Sequence, residues 1–363
     1  MIYNLQLLRA VAALVVVFAH ACSSAGFGLG LSVGAFGVDI FFVISGFTIS
    51  YVGSNLPAKV FLTRRLIRIV PLYWGATFGA YSITVLAPSL IQSTDSSVVH
   101  LLYSLFFIPH LNKVGYFEPT LALGWSLNYE MYFYFLFSLG LLVSVRWAPI
   151  LCSLFMLVIA GAILTSGTTN AAVLLYADPI VLEFIGGILI FYIYNSESVA
   201  TWLRSHQKLA KTLLLGLGTI AFVVIVEREY AAVGTERALR AGIPAFVIVL
   251  AAVMLEKVFA YAIKRKTTVL LGDASYVLYL THPYVVYGSI RLFLSHVSLG
   301  PLGTWAAVVV LLAMATAVAV AIHLLLERPV LSLLRRMTAT SHPVSTIQPQ
   351  TAPATATVKE LRA

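Results

Sequence analysis

The sequence predicts an all-α integral membrane protein, built as a bundle of about ten transmembrane helices. Hydrophobic residues make up 60% of the 363 residues and charged residues only 10%, which is far from the composition of soluble domains. Apolar stretches of about 20 residues recur along the chain, and each is long enough to cross a bilayer. Basic residues are concentrated in alternate connecting segments, which gives the bundle a predicted orientation.

Ten apolar stretches are predicted to span the membrane. They cover about residues 5–25, 33–53, 71–91, 122–144, 148–166, 173–195, 212–227, 241–261, 269–294 and 304–326. Residues 1–336 are therefore predicted to form one transmembrane domain. Residues 337–363 are rich in Thr, Ala and Pro and have no apolar period, which is typical of a disordered tail.

The distribution of Lys and Arg predicts that both termini and the tail lie in the cytoplasm. The segments after spans two, six, eight and ten are basic: Lys59, Arg64, Arg65 and Arg68; Arg204, Lys208 and Lys211; Lys264, Arg265 and Lys266; Arg328, Arg335 and Arg336. The positive-inside rule places these segments in the cytoplasm, which agrees with an even number of spans. Because the clusters are short and separated by apolar stretches, they do not indicate a nucleic-acid-binding surface.

The first span carries Arg9 and His20 in a stretch that is mostly Ala, Val, Leu and Phe. Eleven helical residues bring the chain back to within roughly 20° of the same face, about 16 Å further along, so both side chains are expected on one stripe. An arginine at membrane depth costs about 2.5–3.5 kcal/mol, so it usually faces a polar cavity or an interior partner. The alternative is that Arg9 lies at the cytoplasmic interface and His20 is a packing histidine.

Asp39 in the second span is expected at a depth similar to that of His20, within hydrogen-bonding reach if the two helix faces meet. A carboxylate on one ring nitrogen fixes the imidazole tautomer and leaves the other nitrogen to take a proton from a hydroxyl group. Arg9, His20 and Asp39 are therefore the predicted catalytic residues. The alternative is that Asp39 pairs within the bundle for structural reasons.

The predicted cytoplasmic segment 61–71 is amphipathic and contains Arg64, Arg65 and Arg68. Arg65 and Arg68 are three residues apart and would share a helical face, and Arg64 and Arg68 are four apart. Guanidinium groups at this spacing suit phosphate oxygens, so these residues are the predicted cofactor-binding site. The same cluster would also serve topology and the binding of anionic lipid headgroups.

Four further polar residues within the spans are assigned to a substrate cavity: Ser45, Tyr129, Glu130 and His282. Glu130 and His282 would either line that cavity or lock the bundle by hydrogen bonds. Glu183 also lies within a span, and Glu327 is expected at the inner membrane interface. No metal site is predicted.

Several of these stretches carry a family pattern. They are residues 7–13 with His20, residues 36–47, Arg65 and Arg68 with residues 71–74, residues 125–127 with Glu130, and residues 275–283. Together they resemble the acyltransferase family 3 membrane proteins, which typically O-acylate surface and exported polysaccharides of bacteria. Within that family the chain looks closest to stand-alone exopolysaccharide or O-antigen O-acetyltransferases.

The resemblance implies a multi-pass protein of the bacterial inner membrane. It implies that acetyl-CoA, or another short acyl-CoA, is the donor, and that a polysaccharide or lipid-linked sugar is the acceptor. The family's Arg–His pair falls on Arg9 and His20, with the histidine essential for transfer. Its Arg-x-x-Arg element falls on Arg65 and Arg68, on the acyl-CoA side. His20 would act as a general base or carry the acyl group itself.

Two other functions fit the residues without the resemblance. A transporter of a sugar or lipid-linked sugar would line its path with the same polar side chains. An export scaffold would need them only for packing. Release of free CoA thiol separates an acyltransferase from both.

Overall fold

The computed structural model describes residues 1–24, 34, 36–87, 96–112, 115, 117–227, 235–294 and 300–338. Within these ranges the regular secondary structure is helical, and the only β-type pairing is one isolated antiparallel bridge between Leu111 and Phe117. The predicted tail lies outside the described residues from position 339 onward.

The helices follow one another as α1 (Tyr3–Ser24), α2 (Phe36–Gly53), α3 (Ala58–Leu86), α4 (Val98–Leu105), α5 (Gly124–Val143), α6 (Ala148–Thr165), α7 (Ala171–Leu174), α8 (Val181–Asn195), α9 (Glu197–Ser205), α10 (Gln207–Glu227), α11 (Thr235–Arg237), α12 (Ile243–Phe259), α13 (Lys266–Leu292), α14 (Pro301–Ile322) and α15 (Arg328–Thr338). A 3₁₀ turn (Leu175–Ala177) precedes α8, and π-helical turns precede α12 (Ala238–Gly242) and α15 (His323–Glu327).

Eight helical segments in the described parts of the chain are long and apolar enough to cross a membrane. The all-helical membrane architecture predicted from composition is therefore confirmed. The predicted count of ten also includes α5 and α13, which are 20 and 27 residues long but more polar. These two helices carry Glu130 and His282, so the residues that make them less apolar are among those assigned to the site.

The third predicted span and the amphipathic segment 61–71 before it form one helix. In the structure α3 begins at Ala58 and continues through Pro71, so Arg64, Arg65 and Arg68 lie on the same helix as the apolar stretch. Proline lacks a backbone N–H, so within a helix it removes one hydrogen bond. In α3 the flanking turns nevertheless continue across Pro71.

The bundle is organised around α1 and α2. α1 packs most extensively against α13, and α2 against α8. The α2–α8 contact is backbone to backbone, since a Cβ atom at Gly46 would lie 2.1 Å from the carbonyl oxygen of Phe184. Small residues permit such close approach between membrane helices. By contrast, α6, α10 and α14 leave most of their apolar side chains uncovered, which suits contact with lipid.

Candidate active site

A cavity of about 180 Å³ lies between α1, α2, α3, α5 and α13. Along α2 its lining runs from Val38 to Ile49, which corresponds to roughly 16 Å of helix. Its polar lining residues are Arg9, Ser45, Thr48, Arg65, Arg68, Ser126, Glu130, Tyr134, Ser275, Tyr276 and Tyr279. Five helices that are mainly apolar thus direct hydroxyl groups, one carboxylate and three guanidinium groups at a common space.

Glu130 supplies the carboxylate of the cavity. Its Oε1 accepts hydrogen bonds from the Ser45 hydroxyl and the Tyr134 hydroxyl, each at 2.5 Å. Arg9 and Arg65 lie close enough to interact electrostatically with it. The sequence analysis assigned Ser45 and Glu130 to a cavity, and the structure brings them together. The two hydrogen bonds therefore fix the Glu130 carboxylate in an orientation near Arg9 and Arg65.

Arg9 and Arg65 are cations with few partners. Arg9 donates one long hydrogen bond to Gln6, at 3.5 Å. Arg65 has no hydrogen bond or salt bridge to the described residues, and its Nε atom is buried. Its guanidinium group instead lies 5.6 Å from the centre of the Phe61 ring. Glu130 is one carboxylate that faces two guanidinium groups, so this end of the cavity is suited to a further anion.

Arg68, in contrast, is already paired. It forms a 2.5 Å salt bridge with Glu327 and donates a hydrogen bond to the carbonyl oxygen of Asp273. Glu327 also contacts His323 at 2.5 Å and is buried within the protein. The pair joins α3 to the turn before α15, so Arg68 also has a structural role.

His20 does not line the cavity; its ring packs against that of His282, with the ring centres 4.9 Å apart. Arg9 lines the cavity together with residues of α13, and His20 contacts His282 of α13, so both side chains lie on the side of α1 that faces α13. Their spacing predicted that they share a face. The ring of Tyr279, which does line the cavity, is 6.3 Å from that of His282. The histidine pair therefore lies just beyond Tyr279, as seen from the cavity.

The hydrogen bonds of the two histidines fix their tautomers. Nδ1 of His20 is 2.9 Å from the carbonyl oxygen of Val16, and Nδ1 of His282 is 3.1 Å from that of Leu278. A carbonyl oxygen only accepts, so each Nδ1 carries a proton. In the neutral rings each Nε2 is consequently a proton acceptor, and that of His282 is buried without a partner in the described structure.

The predicted pairing of Asp39 with His20 is wrong. Both oxygens of Asp39 accept hydrogen bonds from Arg237, at 3.0 Å each, and that guanidinium group lies 5.3 Å from the ring centre of Trp125. The two side chains do sit on neighbouring helices, but His20 faces α13 while Asp39 faces the segment before α12. Sequence analysis placed Arg237 in an outer loop and missed this contact.

The remaining predicted residues lie around the cavity rather than in it. Arg64 is exposed on α3, and Tyr129 is buried with its ring 5.9 Å from that of Phe42. Sequence analysis noted Glu183 only as a polar residue within a span. It is 3% exposed, and neither of its carboxylate oxygens has a hydrogen-bond partner among the described residues. An acidic residue within an apolar stretch is the sequence feature that could have identified Glu183 as a site residue.

Comparisons with known proteins find a family model and a relative that match most of the chain. A family model described as an acyltransferase domain matches residues 2–324. The chain is 34% identical over 320 residues to the exopolysaccharide production protein ExoZ of Rhizobium meliloti (strain 1021), an alignment that covers 85% of this chain and 93% of that relative. No solved structure matches the chain.

Proposed function

Because this chain belongs to the acyltransferase family whose domain model matches residues 2–324, we propose that it moves an acetyl group from cytoplasmic acetyl-CoA to a hydroxyl group of an exported polysaccharide. Its membership confirms the resemblance drawn from the motifs and makes it a membrane acyltransferase. The proposal adds the donor, the acceptor and the sidedness. The likeness to an exopolysaccharide production protein supports the acceptor, either as a polymer or as its lipid-linked precursor.

One structural observation supports the donor above all others. Arg65 and Arg9 place weakly partnered guanidinium groups at one end of a cavity inside an apolar bundle. Guanidinium groups bind phosphate oxygens through charge-assisted hydrogen bonds, and acetyl-CoA carries its phosphates at the end opposite the thioester. We assign Arg65, with Arg9 and Arg68, to those phosphates. Arg64 is exposed beside them and contributes charge at the surface.

The orientation follows from the basic segments. Arg65 and Arg68 lie in the inner turns of α3, next to the loop that the positive-inside rule places in the cytoplasm. In the proposed topology α5 and α13 also cross the inner membrane, which gives ten spans with both termini in the cytoplasm. Acetyl-CoA then reaches the arginines from the side where it is made.

His20 is the proposed base. The acceptor hydroxyl oxygen attacks the carbonyl carbon of the thioester and gives its proton to Nε2 of His20. The carbon–sulfur bond breaks, and the departing thiolate takes that proton. The tautomer set by Val16 leaves Nε2 available for this step. His20 acting as the acyl carrier would use the same nitrogen.

A free-thiol assay on the purified protein tests the proposal. Protein in lipid nanodiscs, acetyl-CoA and de-O-acetylated exopolysaccharide should together release CoA thiol. The His20→Ala variant should release none above the rate without protein. A transporter or a scaffold releases no thiol, so absence of release from the wild-type protein, with the polysaccharide present, would reject the proposed function.

A further inference from the structure

A second polar cluster lies at the end of the cavity away from the donor arginines. This outer cluster consists of Asp39, Trp125, Glu183 and Arg237. Asp39 directly follows Val38 in the sequence, Trp125 directly precedes Ser126, and both Val38 and Ser126 line the cavity. Asp39 and Trp125 stand in the first turns of α2 and α5, whereas Glu130 and the arginines lie deeper along the bundle.

Arg237 covers this end of the cavity. Its guanidinium group donates two parallel hydrogen bonds to Asp39 and lies over the ring of Trp125. It therefore covers the carboxylate oxygens of Asp39 and one face of the Trp125 ring. The Asp39 side chain is 1% exposed and that of Arg237 is 19% exposed. Asp39 is therefore buried, and Arg237 is the more exposed partner of the pair.

Glu183 gives Arg237 a second possible partner. Glu183 interacts electrostatically with Arg237 and lies close enough to Asp39 to share a hydrogen bond when it holds a proton, yet neither of its oxygens is bonded to a cation in the described structure. A buried carboxylate without a partner is costly unless it holds a proton or pairs with a cation. The nearest cation is Arg237, which Asp39 already binds through both of its oxygens.

The backbone around Arg237 is suited to a change of partner. The π-helical turn Ala238–Gly242 follows Arg237 directly, and π-turns within helices often mark functional sites. Gly242 rests against Glu183, since a Cβ atom there would lie 3.0 Å from the Oε1 atom of Glu183. The π-helical turn therefore lies against Glu183 at Gly242 and is adjacent in sequence to Arg237, which binds Asp39.

We propose that Arg237 closes the acceptor end of the cavity and exchanges Asp39 for Glu183 when a sugar enters. The exchange exposes the carboxylate of Asp39, which accepts hydrogen bonds from sugar hydroxyls, and the face of Trp125, which packs against their C–H groups. Arg237 is a positioning residue in this scheme and takes no part in the chemistry. The proposal rests on the proposed function, because it assigns the acceptor to the end opposite the donor arginines.

Cysteine labelling tests the closure without any acyl transfer. Cys22 and Cys152 are replaced by Ala, and Ser126→Cys reports access to the cavity from outside intact cells. Thr169→Cys, in an exposed loop on the proposed outer side, gives the rate of unhindered labelling. With a membrane-impermeant maleimide we expect Ser126→Cys to react at least about tenfold more slowly than Thr169→Cys. Adding Arg237→Gln should speed its labelling at least about fivefold.

Arg240→Gln is the matched control, because Arg240 lies in the same turn with its side chain 40% exposed. It should leave the labelling rate of Ser126→Cys unchanged. Equal rates for the Arg237→Gln and Arg240→Gln proteins would overturn the proposal, as would unhindered labelling of Ser126→Cys beside an intact Arg237. If Ser126→Cys does not accumulate, Leu127→Cys lines the same cavity and provides the same comparison.

A kinetic measurement separates positioning from mere stability. Arg237→Gln should lower the exopolysaccharide concentration needed for half-maximal thiol release at least about fivefold, because Arg237 no longer competes with the sugar for Asp39, while the acetyl-CoA dependence stays unchanged. Equal changes in both dependences would overturn the assignment to the acceptor. The labelling result does not depend on thiol release, so failure of the proposed function is distinguishable from failure of the closure.

Discussion

At the scale of single residues, His20 is the side chain on which the proposed chemistry depends. Val16 holds its Nδ1, so Nε2 is the atom that takes the proton. Removing a general base typically costs about 10²–10⁴-fold in rate, and we expect His20→Ala to lose transfer by at least that factor. Proton NMR of the polysaccharide acetyl groups measures the loss, with protein abundance as the control. Near-normal acetylation would remove His20 from the mechanism.

Arg65 and Arg68 should respond differently to the same substitution. Arg65 has no ion pair in the described structure, whereas Arg68 is bonded to buried Glu327. Arg65→Gln should therefore raise the acetyl-CoA concentration needed for half-maximal rate, because it removes binding made far from the thioester. It should leave the melting temperature unchanged, because no ion pair is lost. Arg68→Gln should also lower the melting temperature, since it leaves Glu327 without its cation. Identical effects of the two variants on both quantities would contradict this distinction.

Asp39→Asn tests the corrected partner of Asp39. The substitution removes the charged partner that accepts two hydrogen bonds from Arg237, and losing hydrogen bonds between charged groups typically costs about 1.5–3 kcal/mol of stability. The thermal midpoint in detergent should fall. The pH profile of transfer should keep its shape, because Asp39 does not hydrogen bond to His20. A shifted pH profile in the variant would contradict the assigned partner and support the predicted pairing of Asp39 with His20.

These residues show how far sequence reasoning reaches at this scale. The eleven-residue spacing predicted that Arg9 and His20 share one face of α1, because helical periodicity is local; that this face meets α13 is known only from the structure. The partner of Asp39 is 198 residues away in the chain, and only the packing of α2 against the turn before α12 brings it close. No local pattern carries that information.

At the scale of helices, the α2–α8 contact depends on glycine. A Cβ atom at Gly187 would lie 2.2 Å from the carbonyl oxygen of Val43, and overpacking of this kind typically costs about 1–3 kcal/mol. Gly187→Ala should lower the folded yield and the thermal midpoint. Gly216→Ala on α10 is the control, since nothing lies within 4 Å of its Cβ position. A Gly187→Ala protein as stable as the control would show that the two helices separate easily.

Sequence patterns identified the long helices but not all of their boundaries. Apolar stretches marked each membrane segment because lipid exposure requires an unbroken apolar surface. The start of α3 at Ala58 was missed, since its first turns carry arginines and resemble a loop in composition. The amphipathic helix α9, Glu197–Ser205, was missed for the same reason.

At the scale of the whole molecule, the cavity has chemically different ends. Cations with few partners, Arg9 and Arg65, lie at one end, and the Asp39–Arg237 pair lies at the other. The histidine pair stands beside the cavity, beyond Tyr279. In the proposed function this order puts an anionic donor and a hydroxyl-bearing acceptor on opposite sides of one reacting group. The acyl group must then cross the membrane during transfer.

Transfer into sealed vesicles measures that requirement most directly. Inside-out vesicles that contain the protein and enclose de-O-acetylated exopolysaccharide receive acetyl-CoA with an isotopically labelled acetyl group on their outer, cytoplasmic face. We predict that the enclosed polysaccharide gains labelled O-acetyl groups, and that vesicles with the His20→Ala protein show none. Absence of label from the polysaccharide in intact wild-type vesicles, with the protein correctly oriented, would contradict the account.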